Sequence, residues 1–136
     1  MSFVHFQVGL LLLLFLLLNR VRGDNKERLR HDRPMAERGN IFGQSDPSES
    51  GERFETLLKQ GNVVIERIVS SANAEPTRFV QDHDEWVVLL RGKAVLDVEG
   101  ETMTLRRGDY VFLPAHTPHT VTRTSADALW LAIHMH

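Results

Sequence analysis

Two stretches decide how this chain folds: Gln81–Gly92, reading QDHDEWVVLLRG, and Gly108–His119, reading GDYVFLPAHTPH. Each contains a short apolar run, Trp86–Leu90 and Tyr110–Leu113, with a polar group at its mouth. Glu85 opens the first run, and His119 follows the second after Pro114. Apolar runs this short have the length of buried strands rather than helices. Where such strands face each other, a carboxylate and an imidazole converge inside a dry pocket. That pair of ligand types suits a divalent ion such as Fe, Mn, Ni or Zn.

Outward from these runs, nearly everything after Gly61 carries strand signals. Val63–Val69 is rich in β-branched residues, and Arg78–Gln81 is a short extended piece. Lys93–Val98 alternates, with Ala94, Leu96 and Val98 on one face and Lys93 and Asp97 on the other. Glu99-Gly100 makes a tight hairpin turn into Thr102–Leu105, where Met103 and Leu105 face inward. His119–Thr124 and Leu129–Met135 complete the series. Short strands with turns this frequent predict an all-β antiparallel sandwich or barrel. One helix is expected ahead of it: Glu52–Lys59 places Phe54, Leu57 and Leu58 at helical spacing, and Gly61 supplies a stop. Glu37–Gly51, polar and rich in Ser, Gly, Asp and Pro, reads as an extended lead-in.

The chain of 136 residues has room for one domain with one core. It contains no cysteine, which excludes disulfide scaffolds, thiolate metal sites and thiol catalysis. The formal net charge of −2 is an average of two unlike parts. The first 34 residues hold six of the 16 basic and three of the 18 acidic groups, so the remaining body is acidic, at −5. Nothing in that charge points to nucleic acid as a partner.

Residues 1–34 form a hydrophobic and basic leader. Val8–Leu18 reads VGLLLLLFLLL, and a dense polar run follows to Arg33. Three readings are open. A secretory signal has an apolar region of this length, with Gly23 at a cleavage position, but Met1–Gln7 lacks the usual basic start. A membrane anchor through residues 8–18 falls short of the roughly 20 apolar residues a span needs. The third reading starts the functional protein at Met35, leaving a cytoplasmic body; the other two make it secreted or anchored. The body then divides into a lead-in with a short helix, 35–61, and a barrel, 62–136.

The two opening stretches resemble the signature motifs of the cupin superfamily, G-x5-H-x-H-x3,4-E-x6-G and G-x5-P-x-G-x2-H-x3-N. Glu85-x6-Gly92 matches the end of the first, and Gly108-x5-Pro114 followed by His119 matches the second. Asn62 to the C-terminus is similar to small single-domain cupins with a DEW-V-LL-G run and a P-A-H-x-x-H run. The resemblance implies a jelly-roll barrel of two antiparallel sheets with a small-molecule ligand inside. It also implies a metal ligand set, of which this chain keeps Glu85 and His119. The first-motif histidines fall on Phe79 and Gln81, the second-motif Gly on His116, and the final Asn on Arg123. Gln81 still offers a carbonyl oxygen; Phe79 offers nothing to a metal.

The candidate metal ligands are therefore Gln81, His83, Glu85 and His119, with Phe79 and His134 as pocket-lining candidates. Each has a plainer alternative: Glu85 as a solvent-facing strand start, His119 as a hydrogen-bonded core histidine, Gln81 and His83 as surface residues. His116 is expected to be structural, His134 to line the barrel mouth, and His136 to fray. Trp86 and Trp130 are expected in the core or at an interface. Three functions follow from the resemblance. The chain is a divalent-metal protein (if an enzyme, a dioxygenase, isomerase or decarboxylase), a metal-free binding module, or a structural homodimer paired through sheet edges. A fold alone does not choose among them.

Overall fold

The computed structural model describes residues 36–46 and 49–136, so the leader expectations fall outside the described residues. Nine strands build the unit Asn40–His136. They are β1 (Glu52–Gln60), β2 (Val63–Ser70), β3 (Thr77–Phe79), β4 (Asp84–Arg91), β5 (Lys93–Val98), β6 (Glu101–Arg106), β7 (Tyr110–Leu113), β8 (His119–Thr124) and β9 (Leu129–Met135). A five-stranded sheet in the order β1-β2-β9-β4-β7 faces a four-stranded sheet in the order β3-β8-β5-β6. Every pairing is antiparallel. No helix occurs among the described residues.

Period-2 alternation builds the core. On β4 the inward residues are Glu85, Val87 and Leu89; on β9 they are Trp130, Ala132 and His134. Ala94, Leu96 and Leu105 answer from the smaller sheet, with Val98 and Met103 packed against them. Trp130 is buried in this core, as expected of an anchor, and donates its indole N–H to Ser70 Oγ at 3.1 Å. Trp86 points to the opposite face of β4 and packs on Tyr110 instead.

The helix expected over Glu52–Lys59 is corrected to strand β1. Phe54, Leu57 and Leu58 satisfy a helical period, but Glu52, Phe54 and Thr56 also satisfy a strand period. Pairing with β-branched β2 decides between them, with Phe54 opposite Ile68 and Thr56 opposite Glu66. Tertiary pairing of this kind routinely overrides a short local propensity. Gly61, read as a helix stop, lies with Asn62 in the two-residue β1–β2 hairpin loop and has φ +57°.

The outer face of the larger sheet is covered near β1 and β2 by the lead-in. Arg67, only 5% exposed, donates to the carbonyls of Ile41 and Gly43 and to the Glu55 carboxylate. Arg91 binds the carbonyl and hydroxyl of Ser45 at 2.7 and 3.1 Å. Two guanidinium groups therefore pin Ile41–Ser45 across the strands.

Candidate functional site

At one end the two sheets part around a cavity of about 120 Å³. Its apolar lining includes Val87, Leu96, Leu113 and Trp130, and Phe54 of β1 forms part of one wall. The polar groups sit where strands begin or end. Glu85 opens β4 opposite His134 near the end of β9, and His119 opens β8 opposite Phe79. Glu66 reaches in from β2.

Glu85 and His119 are brought together. Both are buried, at 6% and 7% exposure, and Glu85 Oε2 lies 3.7 Å from His119 Nε2. That separation is too long for a hydrogen bond. The carbonyl of Thr117 accepts a hydrogen bond from His119 Nδ1 at 3.0 Å. In the neutral ring this places the proton on Nδ1 and a lone pair on Nε2, aimed at a carboxylate oxygen that has no partner among the described residues. Two buried acceptors face each other, an arrangement that costs several kcal/mol unless a cation or a donor lies between them. The gap fits an ion bonded to both at about 2.1 Å each. A ring nitrogen whose partner nitrogen is tied to a carbonyl is also the usual setting of a metal-bound histidine.

The other first-motif positions join this cavity in different ways. Phe79 stacks on His119, with ring centroids 5.7 Å apart and planes 22° from parallel. Gln81 lines the cavity, and its backbone carbonyl accepts the His116 N–H at 2.6 Å. Together with the Ala115 N–H bonded to Asp84 Oδ1 at 2.8 Å, this bond ties the second motif's turn to the start of the first motif's strand. His116 takes φ +66°, the left-handed conformation that explains a glycine at that place in the motif.

His83 stands outside the cavity lining. Its Nδ1 is 3.0 Å from Asp82 Oδ1, and its Nε2 is 3.0 Å from His134 Nδ1. That hydrogen bond with His83 is the first cause holding the Asp82 carboxyl below its ordinary value. His134 does line the cavity, where its Nε2 lies 3.3 Å from Glu66 Oε2 without hydrogen-bond alignment. His136, expected to fray, is instead held by its N–H, which donates to Asn62 O at 2.7 Å.

Two cavity carboxylates escaped the sequence reading, Glu66 and Glu52. Glu66 had a legible signal, because it breaks the inward series Val64, Glu66, Ile68 of an otherwise apolar strand face. Glu52 had none, since its place depends on β1 being a strand. Ser70 Oγ donates to it at 2.9 Å.

Residues 58–134 match the family described as Cupin domain. The chain belongs to the cupin family. Among solved cupin-like structures, a mannose-6-phosphate isomerase-like protein of Ralstonia eutropha JMP134 is 33% identical, with a TM-score of 0.68 over 74% of this chain and 98% of that one. An RmlC-like cupin of Desulfovibrio desulfuricans gives 0.65 at 19% identity, over 74% and 96% of the two chains, which speaks for the fold alone. A quercetin 2,3-dioxygenase of Bacillus subtilis (strain 168) is 34% identical over 71 residues, 52% of this cupin but only 19% of the dioxygenase. The chain thus matches about a fifth of that relative's length. The cupin barrel accounts for both motif stretches and for the convergence of Glu85 and His119. No helix of the described residues is long and apolar enough to cross a membrane.

Proposed function

We propose that this cupin holds a small, hydroxylated ligand in its barrel beside a divalent ion bound by Glu85 and His119, with Gln81 offering a carbonyl oxygen. The observation that carries this reading is the buried, unpartnered Glu85 Oε2 facing the His119 Nε2 lone pair at 3.7 Å. When bound, such an ion acts as a Lewis acid on a ligand oxygen, the chemistry common to dioxygenase, isomerase and decarboxylase cupins.

The cavity's own residues narrow the ligand. A volume of about 120 Å³ approaches that of a ~150 Å³ cavity that takes benzene, so one ring-sized group fits. Glu52, Glu66 and His134 offer hydrogen-bond acceptors along one side, and the lining contains no Lys or Arg. Hydroxyl donors suit that side, and a phosphate or carboxylate does not, except on the ion itself. The likeness to an isomerase-like protein and to a dioxygenase supports an oxygen-rich organic ligand, whereas the acidic lining disfavours a phosphorylated one.

The test is metal content. The untagged chain, loaded with Fe, Mn, Ni or Zn and dialysed, is expected to retain close to one more equivalent of ion than either His119→Ala or Glu85→Gln. Retention unchanged by both substitutions would refute the reading. Binding of hydroxylated ring compounds to metal-stripped protein with undiminished affinity would favour a metal-free binding module instead.

A further inference from the structure

We propose a second divalent-metal site on the rim of the barrel, outside the cavity, formed by Asp82, His83 and His136 and suited to a first-row transition ion such as zinc. One ligand atom from each of these residues lies within 4.8 Å of the others, and no other trio of His, Asp or Glu among the described residues meets that condition. The Glu85–His119 pair has no third partner of this kind, so the two sites are separate. Two imidazoles and a carboxylate form a donor set that selects zinc, nickel or copper over calcium or magnesium.

Each ligand is already held in place. The His83 side chain is 14% exposed, while the Asp82 carboxylate beside it is 87% exposed and open to an arriving ion. The rings of His83 and His136 lie 4.0 Å apart. The His136 backbone is anchored to the β1–β2 loop through Asn62. Little chain entropy is therefore left to lose when an ion binds.

The proton count along the histidine pair favours a cation here. If His83 donates Nδ1–H to Asp82, its Nε2 must accept from His134 Nδ1–H. His134 Nε2 is then a bare lone pair, buried in the cavity 3.3 Å from a carboxylate oxygen of Glu66. Reversing both tautomers moves the difficulty to the rim, where the His83 Nδ1 lone pair meets the Asp82 carboxylate. With two neutral rings, one end of the chain always sets a lone pair against a carboxylate. A metal ion at the rim resolves this, because it accepts both donors there and lets His83 donate Nε2–H to His134. The proton of His134 then lies on Nε2, facing Glu66. Rim occupancy thus selects the tautomer in which His134 is a donor inside the cavity, linking the surface ion to what the barrel binds.

The experiment titrates zinc into the full chain, metal-stripped and carrying no added histidine tag, against a competing chelator. It uses wild type, His136→Gln, His83→Gln and His119→Ala. One zinc equivalent is expected to survive His119→Ala and to weaken at least tenfold in both His136→Gln and His83→Gln. His136 is exposed, so its replacement leaves the core untouched. In His119→Ala, where only the rim ion is added, nitrogen NMR of the His134 ring is expected to show the proton on Nε2 once zinc saturates. Zinc binding that is identical in wild type and His136→Gln would overturn the site. Loss of every zinc equivalent in His119→Ala would do the same. A His134 ring still protonated on Nδ1 at saturation would overturn the link to the cavity.

Discussion

Phe79 stacks on His119, with ring centroids 5.7 Å apart, and so braces that imidazole from the position where the cupin motif carries a histidine. With Thr117 O holding the Nδ1 side, the imidazole has little rotational freedom. Where the motif carries a donor atom, this chain carries an orienting surface.

That difference should be reversible. Phe79→His places a further imidazole beside the Glu85–His119 pair. It is expected to raise cavity metal affinity at least tenfold, about 1.4 kcal/mol, measured by chelator competition. Phe79→Leu, which removes the flat ring without adding a donor, is expected to lower it.

Gly92 ends the first motif for a steric reason. It has φ +86°, and a Cβ there would fall 2.4 Å from Ser125 Oγ and 2.9 Å from Ala128 Cα. The second atom is backbone and cannot swing aside. Gly92→Ala is expected to destabilise the fold on the order of 3 kcal/mol, from left-handed strain and overpacking together. Denaturant unfolding measures this, and an unchanged midpoint would refute the steric account.

His116 is the converse case, a side chain at φ +66° where the motif carries glycine. His116→Gly relieves left-handed strain but makes the unfolded chain more flexible. The expected net gain is about 0.5 kcal/mol, seen as a melting temperature higher by a few degrees. The His116 N–H bond to Gln81 O survives the change, so cavity metal binding should persist.

Arg67 tests the strap on the outer face. Arg67→Ala removes the bonds to Ile41 O, Gly43 O and Glu55 at once. Bonds to a charged group contribute about 1.5–3 kcal/mol each, and a comparable total loss is expected because Glu55 is half exposed. Hydrogen exchange should quicken at Ile41–Ser45 while β4 and β9 stay protected.

Most of the barrel was legible because its strands alternate cleanly or carry dense β-branched runs. The bounds predicted for Lys93–Val98, Tyr110–Leu113, His119–Thr124 and Leu129–Met135 are those of β5, β7, β8 and β9. The cupin resemblance holds as well. Glu52–Lys59 misled because eight residues satisfy two periods at once, and only the neighbouring strand selects one. His83 was harder. Two residues from both Gln81 and Glu85, it would share their face on a regular strand, but β4 begins only at Asp84. Free of the sheet, its ring turns to His134 and His136, which arrive from the far end of the chain. The burial of Arg67 had no local signal, because what covers it lies about 25 residues earlier in the chain.

The cavity draws its walls from both sheets, with Glu85 and Trp130 on one and Leu96 and His119 on the other. Whatever settles there fastens the two layers together, so occupancy should register as resistance to heat. By mass action, a compound at a hundred times its dissociation constant adds about 2.7 kcal/mol to the folded state. The melting curve of the bare protein is thus a general sensor for any compound that enters the cavity, and a library of ring-sized polyols and phenols tests the proposed ligand class directly.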